Sequence, residues 1–373
     1  MHFAPNELLS SDAMVHELLR PFRGYLAVEG VTEIVVNRPG EVFVEIGPLW
    51  VRYEAPLITL QRCWSLANAI ATYSARHIDV HSPILSAKLP GGERVTIIVP
   101  PVTEPDAISI TIRVPDSVTR TFDQYSADGF FSRFIWVRPT LDHPKTPALT
   151  ASQRRLIEHL EQEDLATFLE QAVRDKLNIV FVGDTGSGKT SLMRAACQFI
   201  PSDERLVTIE DVRELELPNH ANRVHLLYSK NDGATPITPA RLIATAMRMK
   251  PDRVLLAELR GSEAFDFLKL LTTGHSGSLS SFHAESCALA LERYVFMCKE
   301  HEDARIYDAD ALKRLVALTI DVIVHIRAER VFAATGEAVH KDRYVSEVMY
   351  DPIAKLEARF GKAMLAHKKG DAV

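Results

Sequence analysis

The chain has 373 residues, enough for two or three domains, and its 46% hydrophobic and 25% charged residues allow a sizeable core and exclude wholesale disorder. A net charge of −6 argues against a protein whose working face coats DNA, because such a face needs surplus Lys and Arg. A local basic patch or a pore lining stays open.

Residues 1–11 hold no basic stretch leading into an apolar run, so no signal peptide is expected. No apolar run nears the ~18 residues that a membrane span needs. Work at a membrane is therefore expected from the cytoplasmic side, through partners. Glu17, Leu18 and Leu19 belong to an early amphipathic helix. Residues 31–45 read as two strands around the turn cluster Asn37-Arg38-Pro39-Gly40. Residues 60–73 have helical periodicity, Gly91-Gly92 joins two apolar runs, and residues 108–114 form another strand. Strands with isolated helices predict a small α+β domain over residues 1–115. Residues 116–150 are rich in Pro, Asp and Ser, and Pro139, Pro144 and Pro147 break any long helix. They read as a linker carrying one short helix over 122–131.

From residue 151 to 373 the texture changes. Apolar runs at 178–182, 206–209, 253–257, 277–282 and 320–326 alternate with helix-like stretches, the pattern of an α/β domain with a largely parallel sheet. No internal repeat or low-complexity segment interrupts it. The four cysteines, Cys63, Cys197, Cys287 and Cys298, form no C-x-x-C pair and indicate neither a zinc site nor a disulfide framework. Reduced, mostly buried thiols are expected.

The run Gly183-Asp184-Thr185-Gly186-Ser187-Gly188-Lys189-Thr190 fits G-x-x-x-x-G-K-[ST] in full, between an apolar strand and a helix that opens at Ser191. Glycines let successive backbone N–H groups turn inward around phosphate oxygens, and the helix N-terminus adds partial positive charge. Gly183 to Ser191 are thus predicted to bind the phosphates of ATP. Lys189 would neutralise the β and γ phosphates, and the Thr190 hydroxyl would hold Mg²⁺.

Three further segments carry chemistry. Glu258 follows the strand 253–257, at the strand end where ligands bind in open α/β sheets. There it can contact Mg²⁺ or orient an attacking water. Thr208-Ile209-Glu210-Asp211, with Glu214 beyond, ends another β-branched run in carboxylates. Neighbouring residues of a strand point to opposite faces, so one of the two acids is expected to face the nucleotide. Last, His275 and His283 flank a Ser- and Gly-rich strand. Each His alone suits a structural role as well as a γ-phosphate contact.

Together the four segments resemble the Walker A motif, Asp box, Walker B motif and His box of the secretion-superfamily ATPases. Val36 to Val42, Ser82 to Val95, Ile110 to Arg113 and Arg248 to Arg253 are similar to the type IV secretion and conjugation traffic ATPases in particular. The resemblance covers roughly residues 18–352. It implies a C-terminal RecA-like P-loop NTPase domain with a smaller N-terminal α+β domain, assembled as a homohexamer. It also implies a cytoplasmic motor, peripheral at the inner membrane, partnered by inner-membrane components of the apparatus and by other ATPases. Sequence-specific nucleic-acid binding is not expected. Carried over residue by residue, the resemblance assigns Glu210 to the Asp-box acid, Glu258 to the Walker B acid, and His275 and His283 to the His box. Arg94 and Arg113 match arginines that the family brings from the N-terminal domain to the phosphates. Arg248 matches a family arginine before Walker B. Ser280 and Ser281 stand where Thr is commoner, and the tetracysteine motif of the type II branch is missing. A pilus assembly or retraction motor, a docking scaffold with slow hydrolysis and a DNA-translocating ring are the rival readings.

Overall fold

The computed structural model describes residues 12–115, 119–138, 149–228, 237–333 and 338–360. They fall into two compact units. The first is drawn from Met1–Ser117 with Arg330–Lys341, the second from Val118–Lys230, Ile237–Glu329 and Asp342–Val373.

Strands β1 (Val31–Val36), β2 (Gly40–Ile46), β3 (Leu49–Ala55), β4 (Ile84–Lys88), β5 (Arg94–Ile98) and β6 (Ser109–Arg113) build the first unit's sheet, in the order β3-β2-β1-β6-β5-β4. Every neighbouring pair is antiparallel. Alternation decides the faces: Ile34 and Val36, Val42 and Val44, and Val95 and Ile97 are buried, while the residues between them are more open. The helix Leu60–Tyr73 supplies the cover. Thr59 caps it by accepting from the Arg62 N–H, and Cys63, Leu66, Ala67, Ile70 and Ala71 form one buried stripe at helical spacing. These residues share a core with the inner face of the sheet. The turn at Gly40 needs a φ of +90°, open to glycine without strain.

The second unit is built on β7 (Ile135–Val137), β8 (Ile179–Gly183), β9 (Leu206–Glu210), β10 (Arg223–Leu227), β11 (Arg253–Leu256), β12 (Leu279–Phe282), β13 (Val322–Phe332) and β14 (Ala338–Met349). Their order is β10-β9-β11-β12-β8-β13-β14-β7. From β10 through β13 every pairing is parallel. β13 and β14 are neighbours joined by too short a connection for a parallel crossover. The central strands of a parallel sheet are buried on both faces, and their side chains divide between two cores. Ile179 and Phe181 enter one core with Val322 and Val324, and Val180 and Val182 enter the other with Val254 and Leu256.

Part of the stretch read as linker belongs to this second unit. Phe122 and Tyr125, on the helix Phe122–Ala127, and Phe130 and Phe131 lie in its first core. β7 pairs with β14 as the edge strand. Four aromatics in ten residues are a burial signal that the surrounding prolines and acids mask in the composition. Pro139, Pro144 and Pro147 lie outside the described residues. All four cysteines are buried. No helix among the described residues is long and apolar enough to cross a membrane.

Candidate active site

Because β8, β12, β11 and β9 are parallel neighbours in that order, their C-terminal ends emerge on one edge of the sheet, about 4.8 Å apart from strand to strand. β8 runs into the glycine loop, β12 into His283, β11 into Glu258 and β9 into Asp211. One line of contacts follows the strand order. Lys189 Nζ lies 3.4 Å from His283 Nδ1. His283 Nε2 lies 3.2 Å from Glu258 Oε1. Arg260 donates to Glu258 Oε2 from Nη2 (2.6 Å) and Nε (2.9 Å), and reaches Asp211 Oδ2 from Nη1 at 3.0 Å.

The glycine loop is shaped by steric necessity. Gly183 has φ +151°, and a Cβ there would lie 2.2 Å from the Ile326 carbonyl oxygen and 2.9 Å from Ser187 Oγ. Gly186 and Gly188 also have positive φ, and Gly188 caps the helix Lys189–Cys197 from the left-handed region. Thr190 and Ser191 lie in the first turn, half-buried. Thr185 is exposed, and its N–H donates to Asp184 Oδ1 at 2.7 Å. Lys189, only 8% exposed, donates to the carbonyls of Gly183 (3.0 Å) and Asp184 (2.8 Å). Ser187 Oγ is fully buried and has no hydrogen-bond partner among the described residues. Burial first, and then the Lys189 ammonium, push the His283 imidazole below its ordinary pKa. With Nδ1 facing an ammonium donor, the neutral ring places its proton on Nε2, toward Glu258.

Glu210 is not part of this line. It is fully buried, and its oxygens accept from Thr208 Oγ1 (2.8 Å), Glu214 N–H (2.7 Å) and Leu215 N–H (2.9 Å). His225 Nδ1 lies 3.3 Å away. That carboxylate fixes the loop beyond β9, and its neighbour Asp211, on the opposite face, is the one tied to Glu258 through Arg260. His275 does not reach the line either. It precedes β12 while His283 follows it, so the length of a strand separates them, and His275 Nδ1 pairs locally with Thr273 Oγ1 at 3.2 Å. Arg248 donates to the Ala244 carbonyl at 2.9 Å. Arg94 and Arg113 are in the first unit, directly opposite each other on β5 and β6. Arg113 also faces Glu33 of β1.

Two residues absent from the sequence reading bear on the loop. Arg260, which links Glu258 to Asp211, follows Glu258 by two positions and was legible as part of the same motif. Arg343 of β14 donates from Nε to the Gly186 carbonyl at 2.9 Å. It lies 157 positions from that carbonyl in a strand without a recognised motif.

Comparison with known proteins identifies relatives over most of the chain. The family described as Type II/IV secretion system protein matches residues 157–338. Type IV secretion system protein VirB11 of Brucella suis is 42% identical over 346 residues, 92% of this chain and 92% of that protein. Type IV secretion system protein PtlH of Bordetella pertussis is 42% identical over 316 residues, 82% of this chain and 88% of that protein. Among solved structures, the VirB11 ATPase of the Brucella suis type IV secretion system, in complex with sulphate, superposes with a TM-score of 0.51 at 42% identity. That match covers 92% of this chain and 99% of that one.

Proposed function

The chain belongs to the VirB11 family of type IV secretion ATPases, and on that premise we propose that it is the hexameric motor of such an apparatus, hydrolysing ATP on the edge formed by β8, β12 and β11. It is a nucleotide-binding ATP hydrolase and a secretion-system component. The observation that carries the assignment of the site is the unbroken line from Lys189 through His283 to Glu258.

The donor set fits a magnesium nucleotide. The positive φ of Gly183, Gly186 and Gly188 gives the backbone the curl that phosphate binding needs, the buried Ser187 hydroxyl has a hydrogen-bonding capacity to fill, and Lys189 trades loop carbonyls for phosphate. Thr190 and Glu258 would hold Mg²⁺, whose charge neutralises the β and γ phosphates when it is bound. Glu258 orients the water that attacks the γ-phosphate. His283 donates to Glu258 and keeps its carboxylate aimed. Arg260 holds Glu258 and Asp211 together at fixed geometry, against their mutual repulsion. Glu210 acts at one remove, by fixing the loop that carries Asp211 and Glu214.

Arg94 and Arg113 are proposed to stabilise the charge of the transferring phosphoryl group, supplied from the N-terminal unit. The two arginines stand directly opposite each other on β5 and β6, with Glu33 of β1 opposite Arg113. The N-terminal unit and the second unit, to which the helix Phe122–Ala127 and β7 belong, then act as the two working domains of each subunit, and hydrolysis moves one against the other. The ring is proposed to work on the cytoplasmic face of the inner membrane, docked on other components of the apparatus.

The experiment is steady-state ATP turnover by Lys189→Ala and Glu258→Gln, with fluorescent-ADP binding measured alongside. Lys189→Ala is expected to lose binding and turnover together. Glu258→Gln is expected to bind normally and turn over about 10²-fold more slowly. Wild-type turnover by either variant would overturn the site.

A further inference from the structure

β14 touches both loops that meet at the active site. From Arg343, Nε donates to the carbonyl of Gly186 at 2.9 Å. The arginine stem passes over Gly188, where a Cβ would sit 3.9 Å from Arg343 Cδ. Four residues on, Glu347 Oε2 accepts from the N–H of Cys287 at 2.8 Å. Cys287 opens the helix Cys287–Lys299 and lies four positions after His283. Glu347 is therefore a second cap on that helix start, beside the Ser286 hydroxyl, which accepts from Leu289 N–H at 3.1 Å.

A trans peptide points its C=O and its N–H in opposite directions. Holding the Gly186 carbonyl therefore fixes the direction of the Ser187 N–H, which donates to the Asp184 carbonyl at 3.3 Å and would exchange that long hydrogen bond for a phosphate oxygen. Holding the Cys287 N–H fixes the start of the helix, and with it the short loop carrying His283. We propose that Arg343 and Glu347 are positioning residues: β14 sets the phosphate-binding loop and the His283 loop in register, so that Lys189, His283 and Glu258 meet. Neither residue needs to touch the nucleotide. The inference rests on the site assigned above.

The two contacts predict different kinetic signatures. Gly186 belongs to the loop that binds the ground state, so Arg343→Ala is expected to weaken fluorescent-ADP binding about tenfold, the worth of one charge-assisted hydrogen bond. Arg343→Lys, which keeps a charged donor, is expected to recover part of that loss. His283 is coupled to Glu258 rather than to bound ADP. Glu347→Ala is therefore expected to leave the ADP Kd within about twofold of wild type and to lower kcat at least tenfold. Glu347→Gln keeps an acceptor for the Cys287 N–H and is expected to restore kcat. Melting temperatures measured alongside identify any variant whose loss reflects unfolding.

Wild-type ADP affinity in Arg343→Ala, or wild-type kcat in Glu347→Ala, would overturn the proposal. So would equal losses of affinity and kcat in both variants, which is what a purely structural role predicts. Lys189→Ala and Glu258→Gln serve as controls. If they remain active, the site assignment itself has failed; if they are inactive while the β14 variants match wild type, only the role of β14 has failed.

Discussion

Glu258 and His283 lie 3.2 Å apart, carboxylate Oε1 to imidazole Nε2, and the other nitrogen of the same ring faces Lys189. The ring works there as a neutral donor, because burial and the neighbouring ammonium hold its pKa below the ordinary imidazole value. The sign of the pH effect follows. His283 is neutral at pH 7 and takes a proton only as pH falls through its lowered folded value. The stability it contributes is present above the unfolded pKa, about 6.5, and is lost as pH falls through the lower folded value. Turnover is expected to fall over the same acidic range, because a protonated ring repels Lys189. His283→Gln should be slower at pH 8 and should lose that acid limb from its pH–rate profile. An unchanged acid limb in the variant would remove His283 from the mechanism.

Arg260 joins two carboxylates that would otherwise repel, with three N–H donors shared between Glu258 and Asp211. Arg260→Ala is expected to let Glu258 swing away from the β8 side, lowering kcat about 10- to 100-fold while ADP affinity changes little. Parallel measurements of kcat and ADP Kd check this. A loss confined to affinity would place Arg260 on the nucleotide instead.

Glu210 and Asp211 separate stability from turnover. Glu210→Ala strips the acceptor from the half-buried Glu214 N–H and the buried Leu215 N–H. The expected cost is about 2–4 kcal/mol of folding stability. Asp211→Asn, nearer the surface, should leave the denaturation midpoint almost unchanged and lower kcat. Chemical denaturation and turnover on the same two samples decide between them.

How much of this was legible in the sequence depends on how local each signal is. The glycine loop, Glu258 and His283 each sit at the end of an apolar run, and parallel strands must bring such ends to one edge. Asp211 and Glu210 were legible as a pair, but which one is buried depends on the parity of β9 and on the loop that Glu210 clamps. His275 misleads because it shares a segment with His283 while lying at the other end of β12. β7, β10 and β14 escaped notice: β10 is a half-buried edge strand and β7 is three residues long. β14 reads as charged and irregular because its chemistry, Arg343 on Gly186 and Glu347 on Cys287, is directed at residues distant in the chain.

Away from the site, Arg253 tests the sheet's own electrostatics. It is fully buried, donates to Glu204 Oε2 at 2.6 Å, and caps the Val173 carbonyl at 2.7 Å. Burial alone would raise the Glu204 pKa, but the arginine and Lys176 outweigh it and the value ends below the usual carboxylate range. The stability gained is therefore present above the unfolded carboxylate pKa and is lost as pH falls through the lower folded value. Arg253→Met should cost about 3–5 kcal/mol at pH 7, because it removes one partner of a buried ion pair and leaves Glu204 with Lys176 alone and the Val173 carbonyl with only the Lys176 N–H. The cost should shrink at acidic pH. Denaturant midpoints at pH 7 and pH 4 check both statements, and an equal cost at the two values would refute the electrostatic account.

Gly183 joins the fold to the site in a single atom. Its φ of +151° is one that L side chains rarely adopt, and a Cβ would lie 2.2 Å from the Ile326 carbonyl oxygen, a backbone atom that cannot rotate away. β13 is paired with β8 at that residue, Ile326 opposite Gly183, so the clash is relieved only by parting the two strands or by moving the loop. Parting the strands breaks ladder hydrogen bonds in the middle of a sheet buried on both faces. Moving the loop shifts the carbonyls of Gly183 and Asp184 to which Lys189 donates. Gly183→Ala is therefore expected to cost about 2–5 kcal/mol of stability and to lose nucleotide binding in whatever fraction stays folded. Gly24→Ala is the control, since a Cβ there meets nothing within 4 Å. Matching melting curves and matching ADP affinities for the two variants would show that β8 and β13 yield more easily than their pairing indicates.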